Sequence, residues 1–222
     1  MSPRLRERVS RALFTVVAGA ACWGLGGCTG EGGRPEDAHV GAAPEAVPVA
    51  DLAEIAALGF ETQTGEPASL AGLRGKPVLM SFIYTRCAVP NMCPLTTRNV
   101  ARVQGLLTEE ERASVKLVSL TFDPEYDTGA VLRDYAKAYG SDPNAWDFWR
   151  GSEEDTTKLM DAFSVWAKEA GGEYAHNMRS VILRPDGSLS RVLRDSTWDP
   201  EEAAAHLREL ARLAGRTRNA RS

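Results

Sequence analysis

Two cysteines stand where an apolar run meets a helical pattern. Cys87 closes the run that begins at Pro77, and five residues separate it from Cys93. Pro94 suits the first position of a helix, which places Cys93 just before a helix start. Free backbone N–H groups and the positive end of the helix dipole favour thiolate over thiol there. Because a thiolate attacks disulfides and also binds soft metals, the pair predicts one of these two chemistries or a plain disulfide.

These three interpretations make different demands on the pair. A structural disulfide across so short a loop would stabilise the fold only modestly, because the benefit grows with loop length. A redox dithiol needs two sulfurs close enough to bridge and one exposed thiolate. A metal site needs a third ligand; two thiolates with an imidazole suit copper or zinc, and soft sulfur favours Cu(I).

Three histidines are available as that third ligand. His176 is the candidate, because it lies just before the first strand of a predicted hairpin. His206 shares the helical spacing of leucines on a later helix, which is typical of a surface or boundary residue. His39 has no cysteine or second histidine nearby, so we expect it to be solvated.

Apolar runs predict the strands that position these residues. Residues 77–84 and 115–122 are typical of buried parallel strands, joined by a helix from Pro94. Residues 178–183 and 189–193 flank a Pro-Asp-Gly turn and predict a hairpin at one edge of the sheet.

Three further helices are indicated by caps and by helical spacing. They begin at Thr128, cover about 155–167, and run from Pro200 to about Leu213. The resulting order is strand, helix, strand, helix, helix, hairpin, helix. This order predicts an α/β fold with a mixed sheet flanked by helices.

Four separated stretches together resemble the SCO/SenC family of copper-handling proteins, which have a thioredoxin fold. The stretches are residues 75–87 (Gly-Lys-Pro through Thr-Arg-Cys), Cys93-Pro94, residues 123–128 (Asp-Pro-Glu-Tyr-Asp-Thr), and His176 ahead of Pro185-Asp186-Gly187. Their order and spacing match across nearly the whole predicted domain. One difference is the five residues between the cysteines, where the family typically has three.

The resemblance implies a thioredoxin-like domain that holds one copper ion, as Cu(I) and also as Cu(II), through Cys87, Cys93 and His176. It places Asp123 near the cysteines, although a cap or turn carboxylate for the following helix is the other interpretation of that residue. The implied partner is the copper-centre subunit of cytochrome c oxidase, or another copper protein.

A metallochaperone of this kind is not an enzyme in the strict sense. The alternative is a thiol-disulfide oxidoreductase, in which Cys87 and Cys93 also form a disulfide and act on cysteines of a copper-receiving protein.

The N-terminal segment predicts export. Four arginines precede residues 12–27, an almost wholly apolar run that is shorter than the about 20 residues a membrane span needs. This pattern predicts a signal peptide. Leu25-Gly26-Gly27-Cys28 resembles a bacterial lipobox, in which Cys28 would be lipidated; residues 19–22 match less well. An ordinary signal peptide or an uncleaved anchor is the alternative.

The predicted organisation is a signal peptide at 1–27, a flexible tether at 28–50, one domain at 51–215 and a disordered tail at 216–222. The tether is largely Gly, Pro, Ala and Glu, which cannot build a core. We therefore expect an exported protein, anchored by lipid to a bacterial membrane, with its domain on the periplasmic or extracytoplasmic side.

Composition and missing motifs exclude several functions. The chain has 26 basic and 30 acidic residues and a net charge of −4, which argues against a nucleic-acid partner. It contains no phosphate-binding loop, His-Glu-x-x-His, haem-attachment motif or serine nucleophile elbow. The remaining soft or aromatic side chains are expected in the core or at its boundary: Met92, Met178, Trp146, Trp149, Trp166 and Trp198.

Overall fold

The computed structural model describes residues 52–219, with side chains from 54 to 217. The predicted signal peptide, Cys28, the tether and His39 lie outside the described residues. Within the described part of the chain, no helix is long and apolar enough to cross a bilayer.

Helices and strands alternate along most of this range. The strands are β1 (Phe60–Thr62), β2 (Pro67–Ala68), β3 (Val78–Ile83), β4 (Lys116–Thr121), β5 (Trp146–Gly151), β6 (Ala167–Ala170), β7 (Glu173–His176), β8 (Arg179–Leu183) and β9 (Leu189–Arg194). The α-helices are α1 (Leu52–Ala56), α2 (Cys93–Leu106), α3 (Glu109–Ser114), α4 (Gly129–Ala138), α5 (Glu153–Ala162) and α6 (Pro200–Asn219), and a 3₁₀ turn covers Ala71–Leu73.

Seven strands form one mixed sheet in the order β2-β1-β5-β4-β3-β8-β9. β3 and β4 are parallel, as are β4 and β5, whereas β8 runs antiparallel to β3 and β9 to β8. All six residues of β3 are buried, as expected for a central strand covered on both faces. The predicted mixed sheet flanked by helices is confirmed, and so are the parallel pair joined by α2 and the hairpin at one edge.

The helix predicted over about 155–167 is wrong at both ends. Ser152 accepts a hydrogen bond from the Asp155 backbone N–H, so α5 begins at Glu153. It ends at Ala162, because Ser164 adopts a left-handed conformation with φ of 52°. Ala167 instead opens a strand, which carries the chain towards the metal-ligand candidate His176.

Three strand regions were not predicted: the β1–β2 pair, β5, and the β6–β7 pair. β5 has the sequence Trp-Asp-Phe-Trp-Arg-Gly, which lacks clean alternation, yet it pairs with β4 on one side and β1 on the other. β6 and β7 form a separate two-stranded sheet in which Ala167 pairs with His176. Gly171 and Gly172, with φ of 66° and 88°, form its two-residue turn.

The C-terminal helix is longer than predicted. α6 continues to Asn219, so residues 216–219 are helical and do not belong to a disordered tail. Gly215, taken as the end of the domain, lies inside the helix at a cost of about 1 kcal/mol relative to alanine. Arg216 favours the extension, because a cation near the end of a helix stabilises its negative pole.

The tryptophans divide into two groups. Trp146, Trp149 and Trp198 are buried in the core, which confirms the prediction for them. Trp166 is 54% exposed, so its predicted packing is wrong. It lies in the short connection between α5 and β6, where no layer of the fold covers it.

Candidate metal centre

The candidate site lies beyond the carboxyl ends of the parallel strands β3 and β4. Cys87 follows β3 after a short segment. α2 begins at Cys93, one residue earlier than predicted, and Pro94 is its second residue. His176 is the last residue of β7. In open α/β sheets this edge is where ligands bind, because the loops that leave the strands converge there.

The structure brings the three predicted ligand residues together. The Sγ atoms of Cys87 and Cys93 and a ring nitrogen of His176 all lie within 4.8 Å of one another, and all three residues are buried. The Cys93 Sγ to His176 Nε2 distance is 3.7 Å. Among residues 52–219, this is the one group of three or more His, Cys, Asp or Glu side chains placed to hold a metal ion.

Hydrogen bonding fixes the histidine in the tautomer that a metal requires. His176 Nδ1 lies 3.0 Å from the carbonyl oxygen of Asn177, which can only accept, so Nδ1 carries the proton. The lone pair of Nε2 is then free and faces Cys93. The rings of Phe122 and Tyr84 pack against the imidazole, with centroids 5.1 and 5.6 Å away, and hold its orientation.

The two thiols have opposite acidities because they are hydrogen-bonded to each other. The hydrogen bond from Cys93 lowers the pKa of the Cys87 thiol, although burial works against this. The same bond and burial both raise the pKa of Cys93. Both residues are free cysteines in this structure, so the pair has the character of one thiolate and one thiol. A metal that displaces the remaining proton would bind two thiolates.

The five-residue loop between the cysteines is held at successive carbonyl groups. Arg98 Nη2 donates to the Pro90 oxygen at 2.9 Å, and the Ser196 hydroxyl donates to the Asn91 oxygen. The Met92 backbone N–H donates to the Val89 oxygen at 3.1 Å. The additional length is therefore taken up by an anchored turn, and the sulfurs stay together.

Asp123 connects the two segments that carry the candidate ligands. Its carboxylate is 2% exposed and accepts hydrogen bonds from Arg86 Nε at 2.6 Å and from the Tyr174 hydroxyl at 3.3 Å. Arg86 precedes Cys87, and Tyr174 lies two residues before His176. The cap of α4 is Thr128, whose hydroxyl accepts from the Val131 N–H, so the carboxylate of Asp123 is not that cap.

Asp127 is a structural anchor of the site that the sequence analysis did not single out. It is fully buried and accepts from the Thr85 N–H at 3.1 Å and from the hydroxyls of Thr85 and Thr121. Burial raises the pKa of its carboxyl, and these hydrogen bonds offset part of the increase. It joins the ends of β3 and β4 to the start of α4. The available signal was its place as the second acid of Asp-Pro-Glu-Tyr-Asp-Thr.

Other candidates remain outside the cluster, as expected. Met92 and Met178 are partly buried and pack against the core. His206 lies at the boundary of the fold, where its Nε2 is 2.8 Å from the Ser190 hydroxyl, and burial lowers its pKa.

Three exposed hydrophobic side chains surround the site, and we name them the apolar rim: Val89, Tyr126 and Trp166. Val89 lies on the cysteine loop, and the Tyr126 ring lies 4.9 Å from the Arg86 guanidinium. The Trp166 backbone N–H donates to Oδ1 of Asn177, the residue after His176. Each of the three is therefore linked, in sequence or by a contact, to a segment that carries a candidate ligand.

Fold and site together define a class: a thioredoxin-like α/β domain that presents two thiols and an imidazole beyond its parallel strands. The SCO1/SenC family model matches residues 54–212. The chain therefore belongs to the SCO1/SenC family, which confirms the resemblance noted in the sequence.

Similar proteins include a curated relative and two solved structures. The SCO1 protein homolog of Bacillus subtilis (strain 168) is 30% identical over 146 residues, which is 64% of this chain and 72% of that one. The copper-bound structure of Bradyrhizobium japonicum ScoI is 27% identical, with a TM-score of 0.56, and the match covers 69% of this chain and 96% of that one. BsSco, in which a disulfide switch was identified, belongs to the Sco family of cytochrome c oxidase assembly proteins. It is 26% identical with a TM-score of 0.60, over 69% of this chain and 90% of its own.

Proposed function

We propose that this protein binds one copper ion through Cys87, Cys93 and His176 and delivers it to the copper-centre subunit of cytochrome c oxidase or to another copper protein. The observation that carries the proposal is the convergence of the three buried donor atoms within 4.8 Å. The copper-bound and oxidase-assembly relatives support the identity of the cargo and of the receiving protein.

The spacing of the donors suits a single ion. For zinc, another first-row metal, bonds to sulfur and nitrogen are about 2.3 and 2.0 Å, so two such donors at a 120° angle lie about 3.7 Å apart. The observed distance between Cys93 Sγ and His176 Nε2 is 3.7 Å. Two thiolates and one imidazole are soft donors that favour Cu(I), and the imidazole also serves Cu(II).

The residues around the site perform the steps that a chaperone needs. Burial of the three donors keeps water from competing for the ion. The carbonyl of Asn177 keeps Nε2 available, and the Asp123 hydrogen bonds hold the cysteine and histidine segments together. The apolar rim leaves the site approachable by a protein, whose own thiolates would replace these ligands one at a time.

A competition titration tests this function. The reduced protein is titrated with Cu(I) against a chromophoric Cu(I) chelator, together with Cys87→Ser, Cys93→Ser, His176→Ala and the matched control His206→Ala. We expect one tight site, abolished by either cysteine change, weakened by about 10- to 100-fold without His176, and unchanged without His206. Equal retention of copper by the His176 and His206 variants would contradict the proposed ligand set.

A second candidate function is favoured by the state of the two thiols. They are free, their sulfurs lie within 4.8 Å, and the pKa of Cys87 is lowered by the hydrogen bond from Cys93. A Cys87 thiolate could attack a client disulfide, and Cys93 would then resolve the mixed disulfide by forming the Cys87–Cys93 disulfide. Two electrons would pass to the client cysteines, with one proton from Cys93 and the other from solvent.

Disulfide exchange separates the two functions. We expect His176→Ala to retain reduction of a dithiol-disulfide substrate peptide at an altered rate while it loses tight copper binding. If wild-type protein reduces no such substrate, the oxidoreductase function is excluded.

The proposed location is the periplasmic or extracytoplasmic side of a bacterial membrane, where lipid on Cys28 anchors the protein. This proposal rests on the lipobox resemblance and the tether composition. We expect Cys28→Ala to move the protein from the membrane fraction to the soluble exported fraction, while Cys22→Ala leaves it membrane-bound. Membrane retention of the Cys28 variant would contradict the anchor.

A further inference from the structure

A cavity that is rich in carboxylates lies beside the metal centre. It has a volume of about 340 Å³, which is ten times the roughly 30 Å³ share of one water molecule and large enough for a side chain. Its lining includes Asp123, Glu125, Glu153 and Glu169, together with Thr156. We name these five residues the acidic pocket.

The charges of the acidic pocket are only partly compensated, and Glu169 Oε1 accepts one hydrogen bond, from the Gly172 backbone N–H at 3.1 Å. Asp123 is paired with Arg86, but none of the three glutamates forms an ion pair with a described residue. Glu153 begins α5, so the positive end of that helix stabilises part of its charge. The cavity therefore favours a positively charged occupant.

A buried polar atom gives an independent indication of a ligand. Thr156 lines the pocket and is 3% exposed, and its Oγ1 has no hydrogen-bond partner among the described residues. Buried hydroxyl groups are almost always paired, because an unpaired one costs free energy. An occupant with N–H groups would donate to this oxygen.

The carboxylates of the acidic pocket do not form a cluster of metal ligands. No three acidic side chains of the pocket come close enough to ligate one ion; within residues 52–219 only the Cys87, Cys93 and His176 group does so. A guanidinium or ammonium group on a flexible stem has several donors and can satisfy separated carboxylates at once. The pocket thus fits a lysine or arginine side chain.

The pocket is also well placed for a protein that docks on the metal centre. Phe122 and Tyr174 line it; the Phe122 ring lies 5.1 Å from the His176 ring and 5.5 Å from the Tyr174 ring. Two members of the apolar rim, Tyr126 and Trp166, are chain neighbours of its lining residues Glu125 and Ala167.

We propose that the acidic pocket receives a lysine or arginine side chain of the copper-receiving protein and so orients that protein over the metal centre. This inference rests on the proposed copper-delivery function, since it assigns the partner's recognition chemistry. The charge complementarity would raise the association rate and fix the docking orientation.

The first test uses small probes on the copper-free, reduced protein, followed by NMR. N-acetylarginine amide and N-acetyllysine amide are titrated in parallel with N-acetylcitrulline amide, which has nearly the shape of the arginine probe but no charge. We expect saturable shifts at Thr156 and Tyr174 from a cationic probe, with a Kd on the order of 1 mM, and none from citrulline. Equal shifts from citrulline, no saturation with either cation, or stronger binding of Mg²⁺ alone would overturn the proposal.

Substitutions in the acidic pocket test where the cationic probe binds. Glu153→Gln combined with Glu169→Gln should weaken the cationic probe by at least about fivefold, whereas Glu154→Gln, on the same helix but paired with Lys158, should not. Thr156→Val should weaken the probe about threefold while the protein stays folded, because only the buried hydroxyl is lost. Unchanged probe binding in the double glutamine variant would overturn the assignment.

The final experiment measures association with a soluble copper-centre domain of cytochrome c oxidase. We expect the double glutamine variant to associate with it more slowly and with less salt dependence than wild type or Glu154→Gln. Unchanged association would overturn the role of the pocket in docking. Because the Cu(I) competition titration of the same variant should match wild type, a failure of the pocket remains distinguishable from a failure of copper binding.

Discussion

The cysteine segment and the histidine hairpin contribute ligands to one site, but the fold holds them in different ways. The cysteine segment leaves a fully buried central strand and enters a long helix, and its loop is hydrogen-bonded to Arg98 and Ser196. The β6–β7 hairpin forms its own two-stranded sheet. Its side-chain links to the rest of the domain include those of Tyr174 with Asp123 and of Asn177 with the Ser164 carbonyl.

This difference indicates how the site could both hold a copper ion and release it. Ligands on the main sheet are preorganised, because moving them would disturb the core. A ligand on a small hairpin is positioned by a few polar contacts, each with a net contribution of about 1 kcal/mol, and by the packing of the Tyr84 and Phe122 rings against its imidazole. We therefore expect the two cysteines to keep the copper ion bound, whereas small structural changes in the β6–β7 hairpin alter the position of His176.

Asp123 is where the two segments meet, so its substitution should have the largest effect. Asp123→Asn keeps the size but loses the charge that binds Arg86 and weakens the acceptor for Tyr174. We expect Cu(I) affinity to fall by about 10- to 100-fold, as is typical for groups that orient metal ligands. Competition titration measures this, and Tyr174→Phe, which removes one hydrogen bond, should lose less than Asp123→Asn. Wild-type affinity in Asp123→Asn would show that the segments are positioned independently.

Asp127 anchors only the cysteine side, so its effect should be on stability and should depend on pH. Asp127→Asn is expected to lower the free energy of unfolding by about 2 kcal/mol at low pH, because the Asp127 carboxyl group is hydrogen-bonded to several groups at the ends of β3 and β4. Burial raises the pKa of this carboxyl above its ordinary value of 3.8, so its contribution is full below 3.8 and falls as the pH rises through the raised pKa.

The difference in unfolding free energy between wild type and Asp127→Asn should therefore be greatest near pH 4 and shrink towards pH 7. Urea denaturation across this range measures it. A difference that grows with pH would contradict the effect of burial.

A substitution in the turn of the β6–β7 hairpin tests whether this hairpin positions His176. Gly172 has a φ of 88° and open space around an added Cβ, so Gly172→Ala introduces backbone strain alone, about 1 kcal/mol. We expect a several-fold loss of Cu(I) affinity with little change in the stability of the main sheet.

Gly105→Ala is the matched control, because a Cβ there also meets open space but the residue lies in α2 without a positive φ. It should leave copper affinity unchanged and stabilise the helix slightly. Equal copper affinity in the two alanine variants would show that the hairpin turn does not position His176.

The smallest effect is expected at the anchor of the cysteine loop. Ser196→Ala removes one hydrogen bond to the Asn91 carbonyl, worth about 1 kcal/mol, while the Arg98 bond to Pro90 remains. Cu(I) affinity should fall by no more than about fivefold, as measured by competition titration. A loss as large as that of Asp123→Asn would mean that the cysteine segment is not preorganised.

The same contrast explains what the sequence could predict. β3, β4 and the β8–β9 hairpin were predicted because their apolar runs and turn residues are local signals. β5 was missed, because its burial comes from pairing with β4 and β1 and not from alternation. The β6–β7 hairpin was missed although Gly171-Gly172 is a recognised hairpin signal, since the polar strand residues on either side suggested a helix and a loop.

The ligand candidates were predicted by type and by resemblance, whereas their supports depend on distant contacts. The spacing of Cys87, Cys93 and His176 could suggest a site, but the 3.7 Å approach of His176 to Cys93 depends on how the hairpin folds over the sheet. The roles of Arg86 and Asp127 follow from hydrogen bonds across 37 and 42 positions of the chain. Such pairings have no local signature.

The central claim is that one copper ion is bound by two sulfurs and one imidazole nitrogen. X-ray absorption at the copper edge of the Cu(I)-loaded protein measures this ligand set directly. The account predicts two sulfurs and one nitrogen in wild type, and two sulfurs without the imidazole nitrogen in His176→Ala. An unchanged imidazole signal in that variant, or a single sulfur in wild type, would contradict it.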